Sequence, residues 1–527
     1  MSLTSTYSPE VIPPLYGTAL LLGTLSLSLA TFMNVLDSSI ANVSIPAISG
    51  DLGVSPGQGT WVITSFSIAN AIALPLTGWL TQRFGAVRLF TSSLLLFVLA
   101  SWLCGLAHSL EMLVFFRVLQ GLVAGPMIPL SQTLLLSSYP RAKAGTGLAF
   151  WGMTTLVATV AGPLLGGWIS DSMSWPWIFY INVPIGLFAA ALTWGTYRHR
   201  ETPIRKLPID TIGLSLLVIW VGALQLMLDK GKELDWFAST TIVSLGLVSL
   251  VAFAVFVVWE LTDKHPVVDL RLFKLRNFSY GAFSLSVAYA LFFGNVVLLP
   301  LWLQQWMGYT ATNAGLALAP VGLLAILITP LIGKKVTVWD PRRIATVAFI
   351  CFAIVLWMRA QFTVQTDLMH ILIPTFMQGA ALAMFFIPLT TLTLTGIPPE
   401  RIPSAAGLSN FTRITAGAMG TSISTSLWES RAALHHAHLS ELLVQDQGVF
   451  GITMELLQAS DLSQQQALVQ INHIINQQAY TRAADDIFLA SAFIFIGLIG
   501  FIWMTKRPAP LTMEVGKLGA LDAGRSH

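Results

Sequence analysis

The stretch "FFRVLQGLVAGPMIPL", Phe115 to Leu130, decides the class of fold. Its residues are apolar enough for the interior of a lipid bilayer, yet Arg117 lies among them. A charge at the centre of a membrane helix costs about 2.5–3.5 kcal/mol on insertion scales, so such residues are rare and usually functional. The sequence should therefore contain a partner for Arg117 inside the membrane.

The composition of the whole chain is that of a membrane protein. Of 527 residues, 54% are hydrophobic and 10% are charged, against about 25% charged in soluble domains. Asn277 to Gly333 contains no Asp, Glu, Lys or Arg. A membrane helix needs about 20 apolar residues, so this run predicts two spans that turn near "QQWMGYTATNAG". We expect the lipid bilayer as the environment and no nucleic-acid partner.

Uncharged runs of spanning length predict an all-α integral membrane protein with fourteen transmembrane helices. These helices are expected near residues 15–40, 59–81, 89–107, 111–135, 146–168, 177–196, 210–228, 238–259, 278–303, 312–333, 343–361, 370–395, 404–428 and 486–505. The first run has no basic flank before it, so we interpret it as a span rather than a cleavable signal. Cys104 and Cys351 both fall in spans, so a structural disulfide is not expected.

The distribution of Lys and Arg predicts the orientation. With the N-terminus inside, the cytoplasmic segments hold 21 of the 28 basic residues, and the external segments hold five, including Arg359. Both termini are therefore expected in the cytoplasm. Only Arg117 and Arg413 are placed inside spans.

Three short motifs occur twice, in the same order and at nearly constant spacing. "PLTG" at Pro75–Gly78 recurs 255 positions later as "PLIG" at Pro330–Gly333. Gln120-Gly121 recurs 258 positions later as Gln378-Gly379, and Pro46 recurs 254 positions later as Pro300. The repeats predict duplication of a six-helix unit, with helices 7 and 8 inserted between the copies. The expected domains are a first bundle at 1–197, the inserted helices with their flanks at 198–270, and a second bundle at 271–527. Two parallel six-helix halves around a central site are typical of a secondary transporter.

Glu429 to Asp485 is not a membrane segment. Its stretches "ALHHAHLSELL" and "QQQALVQINHIINQQ" place apolar residues at three- and four-residue spacing, which predicts an external helical hairpin. Loops this long are often functional, so we expect a docking surface, and a solvated or disordered loop is the alternative. His435 to His438 could bind a metal from one helical face. Exposed histidines on polar helices are far commoner, so no metal site is predicted.

Several motifs resemble those of the major facilitator superfamily. "FRVLQGLVAG" is similar to the helix 4 motif of its antiporters, with Arg117 as the arginine, and "LDSSIANVSIP" resembles the motif of its fourteen-helix drug–proton antiporters, with Asp37 as the acid. "ATVAGPLLGG" resembles the antiporter motif of helix 5 through Gly162, Pro163, Gly166 and Gly167. "GTWVITSF", "DKGKELDW" and "LSNFTR" resemble the EmrB subgroup.

"GWLTQRFGAVRL" resembles the loop motif after helix 2 through Gly78, Arg83, Gly85 and Arg88. Gln82 stands where the family's usual Asp would be, so the charge lock attributed to that loop lacks its acid here. The glycine motifs imply control of which face of the carrier opens. Small residues are also routine at any membrane helix interface, and simple packing is the alternative.

The resemblance implies a major facilitator fold of six, two and six helices in the bacterial inner membrane. It also implies multidrug export driven by protons without a cofactor. The implied partners are a periplasmic membrane-fusion (adaptor) protein and, through it, an outer-membrane channel. The implied substrates are hydrophobic or amphipathic small molecules.

The positions of Asp37 and Arg117 support a pair. Asp37 lies nine residues before Pro46 on a helix that runs outward, and Arg117 lies six residues after the start of a helix that runs inward. At 1.5 Å per residue, both are about 10–14 Å below the outer boundary. We expect ionised Asp37 to pair with Arg117 and protonated Asp37 to release it toward another acceptor, such as Gln120. A fixed structural ion pair is the alternative.

Aromatic, Met and polar residues in the spans suggest a cavity for an apolar ligand. The candidates are Phe32, Met33, Asn34, Gln120, Trp151, Tyr289, Phe292, Asn295, Gln378, Phe385, Asn410 and Arg413. Ordinary packing is the alternative for each. Arg413 has no obvious acidic partner in the spans, which leaves a gating or substrate role and a structural role both open.

The sequence contains no phosphate-binding loop of the G-x-x-x-x-G-K-[ST] kind, so ATP drive is not expected. It also lacks a Ser/His/Asp or metal constellation, so we do not expect an enzyme. The prediction is a proton-coupled exporter of hydrophobic or amphipathic drugs. A dedicated exporter of one metabolite, such as a fatty acid or siderophore, is one alternative, and a non-transporting scaffold or sensor that works through its hairpin is another.

Overall fold

A computed structural model describes residues 13–140, 143–204, 208, 210–231, 233–336, 338–445, 447–459 and 463–507. Both chain termini, which the sequence places in the cytoplasm, lie outside these residues. Within them the fold is all-helical. The helices are α1 Gly17–Asp51, α2 Pro56–Gly59, α3 Trp61–Ala73, α4 Thr77–Phe84, α5 Ala86–Gly105, α6 Leu110–Ala124, α7 Met127–Ser138, α8 Ala144–Ser172, α9 Trp177–Tyr180, α10 Asn182–Tyr197, α11 Thr211–Lys230, α12 Thr240–Thr262, α13 Arg276–Trp306, α14 Ala311–Leu318, α15 Pro320–Lys335, α16 Pro341–Arg359, α17 Leu368–Leu394, α18 Ile402–Gln445, α19 Gln447–Gln458 and α20 Gln464–Trp503.

Each of the fourteen predicted spans coincides with one helix or with a broken pair of helices. By length and hydropathy, 11 helices of the described chain can cross a membrane, and the pair α3–α4, bent by 63°, brings the number to 12. The other two predicted spans lie in α8 and α18. The multi-pass helical fold is therefore confirmed, and the count of fourteen spans stays a prediction.

Prolines account for three of the breaks within spans. Pro75 lies between α3 and α4, Pro126 separates α6 from α7, and Pro320 begins α15. Proline has no N–H to donate and its ring crowds the preceding turn, so the helix bends or restarts there. Neighbouring helices can satisfy the freed backbone groups, which is why membrane helices tolerate such breaks.

Three helices are longer than the sequence predicts. The first was expected to end near residue 40, but α1 continues to Asp51 with Pro46 inside it. The predicted hairpin 429–485 is helical, but it does not begin at a break. The helices α18 and α20 continue the adjacent spans outward, and α19 lies between them. No Gly or Pro occurs in 429–445 or 464–485, so nothing in these segments interrupts the helices.

The inserted helices α11 and α12 pack against both halves of the molecule. Trp220 of α11 contacts Phe256 of α12, with ring centroids 5.9 Å apart, and Phe411 of α18, at 5.5 Å. The same buried cluster includes Ala71 and Ile72 of α3. The insertion therefore lies along the side of the bundle.

Glycines bring the two halves together near the predicted cytoplasmic ends of α4 and α15. A Cβ added at Gly78 would collide with Ser404 of α18, and one added at Gly333 would collide with Ala149 of α8. Positions 78 and 333 are 255 apart, and so are positions 149 and 404. The same contact is therefore made twice, once with the glycine in the first half and once with the glycine in the second half. The halves are closed against each other on this side.

Spacings of 255 and 258 residues relate contacts inside each half. A Cβ at Gly121 would collide with the carbonyl oxygen of Phe66, and one at Gly379 with that of Val321. Positions 66 and 321 are again 255 apart. The repeat predicted from short motifs is therefore also a repeat of backbone contacts.

Candidate functional site

The carboxylate of Asp37, on α1, and the guanidinium of Arg117, on α6, form an ion pair. Arg117 Nη1 donates to Asp37 Oδ2 over 2.6 Å. The two side chains are 1% and 0% exposed. The structure thus brings together the two residues that the sequence singled out, although their role in transport stays a prediction.

Two further N–H groups surround the carboxylate of Asp37. Gln120 Nε2 donates to Oδ1 over 3.0 Å, and Asn182 Nδ2 donates to the same oxygen over 2.8 Å. The three hydrogen bonds at this carboxylate, from Arg117, Gln120 and Asn182, are all donated to it, and the one from the charged guanidinium is the strongest kind.

Arg117 has several partners at once. Its Nη1 donates to Gln120 Oε1 over 2.7 Å, and its Nε donates to the carbonyl oxygen of Val62 over 2.9 Å. The guanidinium carbon lies 4.2 Å from the ring centre of Phe66, in cation–π contact. Gln120 is thus already bonded to Arg117 while Asp37 is paired, so it is not an acceptor reserved for the protonated state. The ion pair is buried on all sides in this conformation.

Sequence reasoning missed Asn182. Its Nδ2 links Asp37 to Ser101 Oγ, 3.0 Å away, and Ser101 Oγ donates to the carbonyl oxygen of Phe179 over 2.9 Å. A detectable signal was present, because Asn182 is the lone amide in the apolar stretch "WPWIFYINVP" and begins α10 at a helix break.

Arg359, which the sequence counts among the external basic residues, has a buried side chain. Its side chain, at the end of α16, is 1% exposed and lies inside the second half. Its Nη2 donates to Gln378 Oε1 over 2.7 Å and to Thr375 Oγ1 over 3.2 Å. None of the ion pairs among the described residues includes it. The polar pair on α17 holds the guanidinium inward, where an arginine at a span end would otherwise extend to the interface.

Most of the predicted cavity residues lie inside one half rather than between the halves. Asn34 Nδ2 donates to the carbonyl oxygen of Ala124 over 3.1 Å, and Asn295 Nδ2 donates to Ser491 Oγ over 3.1 Å. The buried members of this group are Met33, Asn34, Gln120, Asn295, Gln378 and Phe385. Phe32 is partly buried against the first half's outer cluster, and Phe292 against the second half's core. The structure does not gather these residues around one open cavity.

The remaining candidates lie where the halves meet. Trp151 of α8 stacks on Phe386 of α17, with centroids 5.5 Å apart. Asn410 Nδ2 donates across the boundary to Gln132 Oε1 over 2.8 Å. Arg413 Nη2 donates to Asn410 Oδ1 over 2.7 Å, and its guanidinium carbon lies 4.4 Å from the ring centre of Tyr289.

A small cavity of about 10 Å³ is present at this boundary. Its walls come from α7, α13, α17 and α18, and its lining residues are Gln132, Leu285, Phe386, Thr390, Leu394, Ala406, Ser409, Asn410 and Arg413. This volume holds about one water molecule. A drug-sized ligand therefore needs the two halves to separate.

Two glycines of the helix 5 motif pack against the helix that carries Asp37. A Cβ at Gly162 would collide with Ser39, and one at Gly166 would lie 3.1 Å from the carbonyl oxygen of Ile40. Pro163 lies in the same helix, α8. A Cβ at Gly167 would meet nothing within 4 Å. The motif therefore couples α8 to α1 next to the candidate site.

The loop motif after helix 2 obtains its negative charge from elsewhere. Glu201 Oε1 accepts from the backbone N–H of Val87 over 3.0 Å, and Oε2 accepts from that of Arg88 over 2.9 Å. Gly85 has φ +87°, and a Cβ there would lie 2.5 Å from Glu201. A carboxylate at a helix N-terminus is stabilised by the helix dipole. Glu201, which sequence reasoning missed, thus caps α5, while Arg83 lies over Trp79 at 5.5 Å.

The sequence profile of the Major Facilitator Superfamily matches residues 27–421. The Multidrug export protein EmrB of Escherichia coli (strain K12) is 52% identical over 496 residues, which are 94% of this chain and 97% of that protein. The Fatty acid resistance protein FarB of Neisseria gonorrhoeae is 49% identical over 496 residues, 94% of this chain and 98% of FarB.

Among solved structures, the proton:xylose symporter XylE bound to 6-bromo-6-deoxy-D-glucose aligns with a TM-score of 0.56. The alignment covers 90% of this chain and 95% of that one, at 15% identity. At this identity the likeness concerns the fold alone.

Proposed function

Because the chain belongs to the major facilitator superfamily and, within it, to the family of the EmrB proteins, we propose that it exports hydrophobic and amphipathic compounds across the bacterial inner membrane in exchange for protons. The chain is a multi-pass membrane transporter rather than an enzyme. The single observation that carries the proton coupling is the carboxylate of Asp37, buried inside the first half and paired with Arg117. Ionisable residues within membrane spans mark proton and ion pathways.

The proposed cycle follows from the charge of this site. With Asp37 ionised, its charge and that of Arg117 cancel, and the pair holds α1 against α6. A proton that enters from outside neutralises Asp37 and leaves Arg117 as an uncompensated buried cation, which is unfavourable. The helices around the site then rearrange, and the contacts of Gly162 and Gly166 with α1 pass the movement to α8. Release of the proton to the cytoplasm resets the carrier.

The membrane potential makes this exchange effective. One elementary charge moved across 100 mV supplies about 2.3 kcal/mol. At about 1.4 kcal/mol for each factor of ten, this corresponds to a concentration ratio of about 50 per proton. No phosphate-binding loop is needed for such a drive.

A dye-efflux assay in inverted membrane vesicles tests the proposal. We expect efflux of a lipophilic dye only when a pH gradient is imposed, and its collapse when a protonophore is added. Efflux that persists without any gradient would contradict proton coupling. Absence of flux in purified proteoliposomes would support the alternative of a scaffold or sensor.

A dedicated exporter of one metabolite is the second candidate. The observation that favours it is the 49% identity to a relative named for fatty acid resistance. Resistance profiling across dissimilar compounds separates the two candidates, because a dedicated carrier protects against a narrow set.

We further propose that the hairpin 429–485 docks a periplasmic adaptor protein, and through it an outer-membrane channel. Its support is a set of apolar side chains on the outer part of these helices that are exposed, namely Leu434, Ile452, Leu456, Leu468 and Val469. Two contacts brace the base, Trp428 Nε1 to the carbonyl oxygen of Tyr480 over 2.8 Å and His435 with Asp486.

Because the base is braced, the tip can be changed alone. Replacing residues 440–470 with a Gly/Ser linker should preserve vesicle transport and remove both adaptor co-purification and whole-cell resistance. The matched variant Leu456→Ser/Val469→Ser keeps the helices and removes only apolar surface. Survival of co-purification and resistance in both variants would place the docking element elsewhere.

A further inference from the structure

Among the residues that the structure describes, three arginines are buried in the helical bundle, and Arg413 differs from the other two in its position. Arg117 is paired with Asp37, and Arg359 is enclosed by Thr375 and Gln378 inside one half. Arg413 is 4% exposed and lines the cavity where the two halves meet. It is therefore the buried cation that separation of the halves would expose.

The guanidinium of Arg413 has no acidic partner within the described chain. Asn410 Oδ1 is its one hydrogen-bond acceptor there, at 2.7 Å. The rings of Tyr289 and Phe386 flank it, with their centres 4.4 Å and 5.0 Å from the guanidinium carbon. These contacts fix the orientation of the side chain but leave its positive charge uncompensated. Its Nε and Nη1 groups remain available to a second acceptor.

A hydrogen bond between the two halves lies beside this face of Arg413. Asn410 donates across the boundary to Gln132 of α7, so the residue that orients Arg413 also joins the two halves. When the halves separate on the cytoplasmic side, this bond breaks and the cavity enlarges. The guanidinium then faces the cytoplasm, with Leu285, Leu394 and Phe386 as apolar surface beside it.

We propose that Arg413 binds the carboxylate or an equivalent anionic head group of amphipathic substrates, and so gives the exporter a preference for acids over neutral analogues. A guanidinium matches a carboxylate through two parallel N–H groups. The ligand's charge neutralises a cation that the protein leaves unpaired, while its apolar tail packs against the side chains that opening exposes. This inference rests on the proposed export function and names a substrate class for it.

Binding of dodecanoate and of its neutral analogue dodecanamide tests the proposal. The full-length protein in phosphatidylcholine nanodiscs is titrated by calorimetry as wild type, Arg413→Gln, Arg413→Lys and Arg359→Gln. We expect Arg413→Gln to weaken dodecanoate about 10- to 100-fold, the range for a charged hydrogen bond, and to change dodecanamide far less. Arg413→Lys should be intermediate because an ammonium lacks the planar fork.

Arg359→Gln is the matched control, since it removes a buried arginine of the same half that does not line the cavity. It should leave the ratio of the two affinities unchanged. Equal weakening of acid and amide by Arg413→Gln, or no preference for the acid in wild type, overturns the proposal. An equal change of the ratio in Arg359→Gln overturns it as well.

An anionic lipid could supply the same head-group chemistry, so the titration is repeated in phosphatidylglycerol nanodiscs. If Arg413 governs retention of phosphatidylglycerol and not the affinity for dodecanoate, a lipid occupies the site and the substrate proposal is wrong. Transport in proteoliposomes gives the last readout, in which Arg413→Gln should raise the KM for dodecanoate with little change in kcat. Arg413-dependent binding without gradient-driven transport would contradict the export function while supporting an anion-binding site at Arg413, so the two failures can be distinguished.

Discussion

The two halves of the molecule hold a buried arginine in different ways. In the first half, Arg117 and Gln120 lie on one helix and meet the carboxylate of Asp37. In the second half, the glutamine recurs as Gln378, but position 375, which is 258 after Arg117, is a threonine. The arginine there comes from the preceding helix, as Arg359.

The acid differs as well. At the 254-residue spacing that relates Pro46 to Pro300 on these helices, the position of Asp37 corresponds to Leu291. A polar residue nevertheless joins the first helix to the last in each half, since Asp37 accepts from Asn182 and Asn295 donates to Ser491. The second half makes this link with an amide and the first with a carboxylate. The difference teaches that one fold can hold a buried arginine with or without a carboxylate partner.

The largest expected effect comes from replacing the carboxylate of the first half with an amide. Asp37→Asn gives the first half the same neutral group as the second, keeps the shape, and removes the titratable group. We expect loss of pH-gradient-driven efflux by more than about 100-fold with normal membrane insertion, measured by dye efflux in vesicles. Asn295→Ala is the matched change, and it should keep the coupling. Undiminished efflux by Asp37→Asn would remove Asp37 from the mechanism.

Removal of each arginine should affect stability unequally. Arg117→Ala leaves a buried carboxylate without its counter-charge, which costs about 3–5 kcal/mol. Arg359→Gln removes a cation that has only neutral partners, so we expect a loss of no more than about 1–2 kcal/mol. Unfolding by SDS from dodecyl maltoside micelles, followed by circular dichroism, measures both. Equal losses of stability would show that leaving the Asp37 carboxylate without its partner adds no cost beyond that of removing a buried arginine.

The glycines between the halves should behave alike. Gly78→Val and Gly333→Val both overpack the closed contact, by about 1–3 kcal/mol, and so favour separation of the halves. In a background without Cys104 and Cys351, a cysteine at Ser409 should react faster with a maleimide applied from the cytoplasmic side. Gly167→Val is the control, because nothing lies near its added Cβ. An effect from only one of the two sites would break the symmetry between the halves.

The smallest expected effects are at two helix starts. A distant residue, Glu201, caps α5 in the first half, whereas α16 in the second is capped by its own Asp340, which accepts from Arg342 N over 3.0 Å. Glu201→Gln and Asp340→Asn keep an acceptor oxygen and remove only the charge at the helix N-terminus, so each should lower stability by about 0.3–1 kcal/mol, measured in the same SDS titration. If Glu201→Gln has no effect, the connector does not stabilise α5.

The loss at Asp340 should depend on pH. Burial raises the pKa of Asp340, but the hydrogen bonds and charge of Arg342 outweigh it and hold the pKa below its usual range. The stabilisation is therefore present above the ordinary value of about 4 and disappears as pH falls through the lower folded-state value. A difference between wild type and Asp340→Asn that grew on acidification would contradict this sign.

The sequence was informative where charge is scarce. The Asp37–Arg117 contact was predictable because two isolated charges lay at similar depth in apolar helices, and the repeat was visible in prolines and glycines that serve backbone contacts. Arg359 was missed because an arginine at a span end usually extends to the interface, and only Thr375 and Gln378, distant in sequence, reverse that. Asn182 and Glu201 were missed for the same reason, since their partners come from other helices. The depth of a residue along a helix can be predicted by counting residues from the helix end, but the direction in which its side chain faces depends on residues of other helices.

The unbroken length of α20 has a mechanical consequence. At 1.5 Å per residue, its 40 residues span about 60 Å, roughly twice the hydrocarbon thickness of a bilayer. Its outer part is braced against α18 by the indole of Trp428, and its inner part packs in the second half's core. One unbroken helix therefore connects the segment outside the membrane to the core of the second half. A sideways force on the outer part of α20 would therefore be transmitted to the core of the second half.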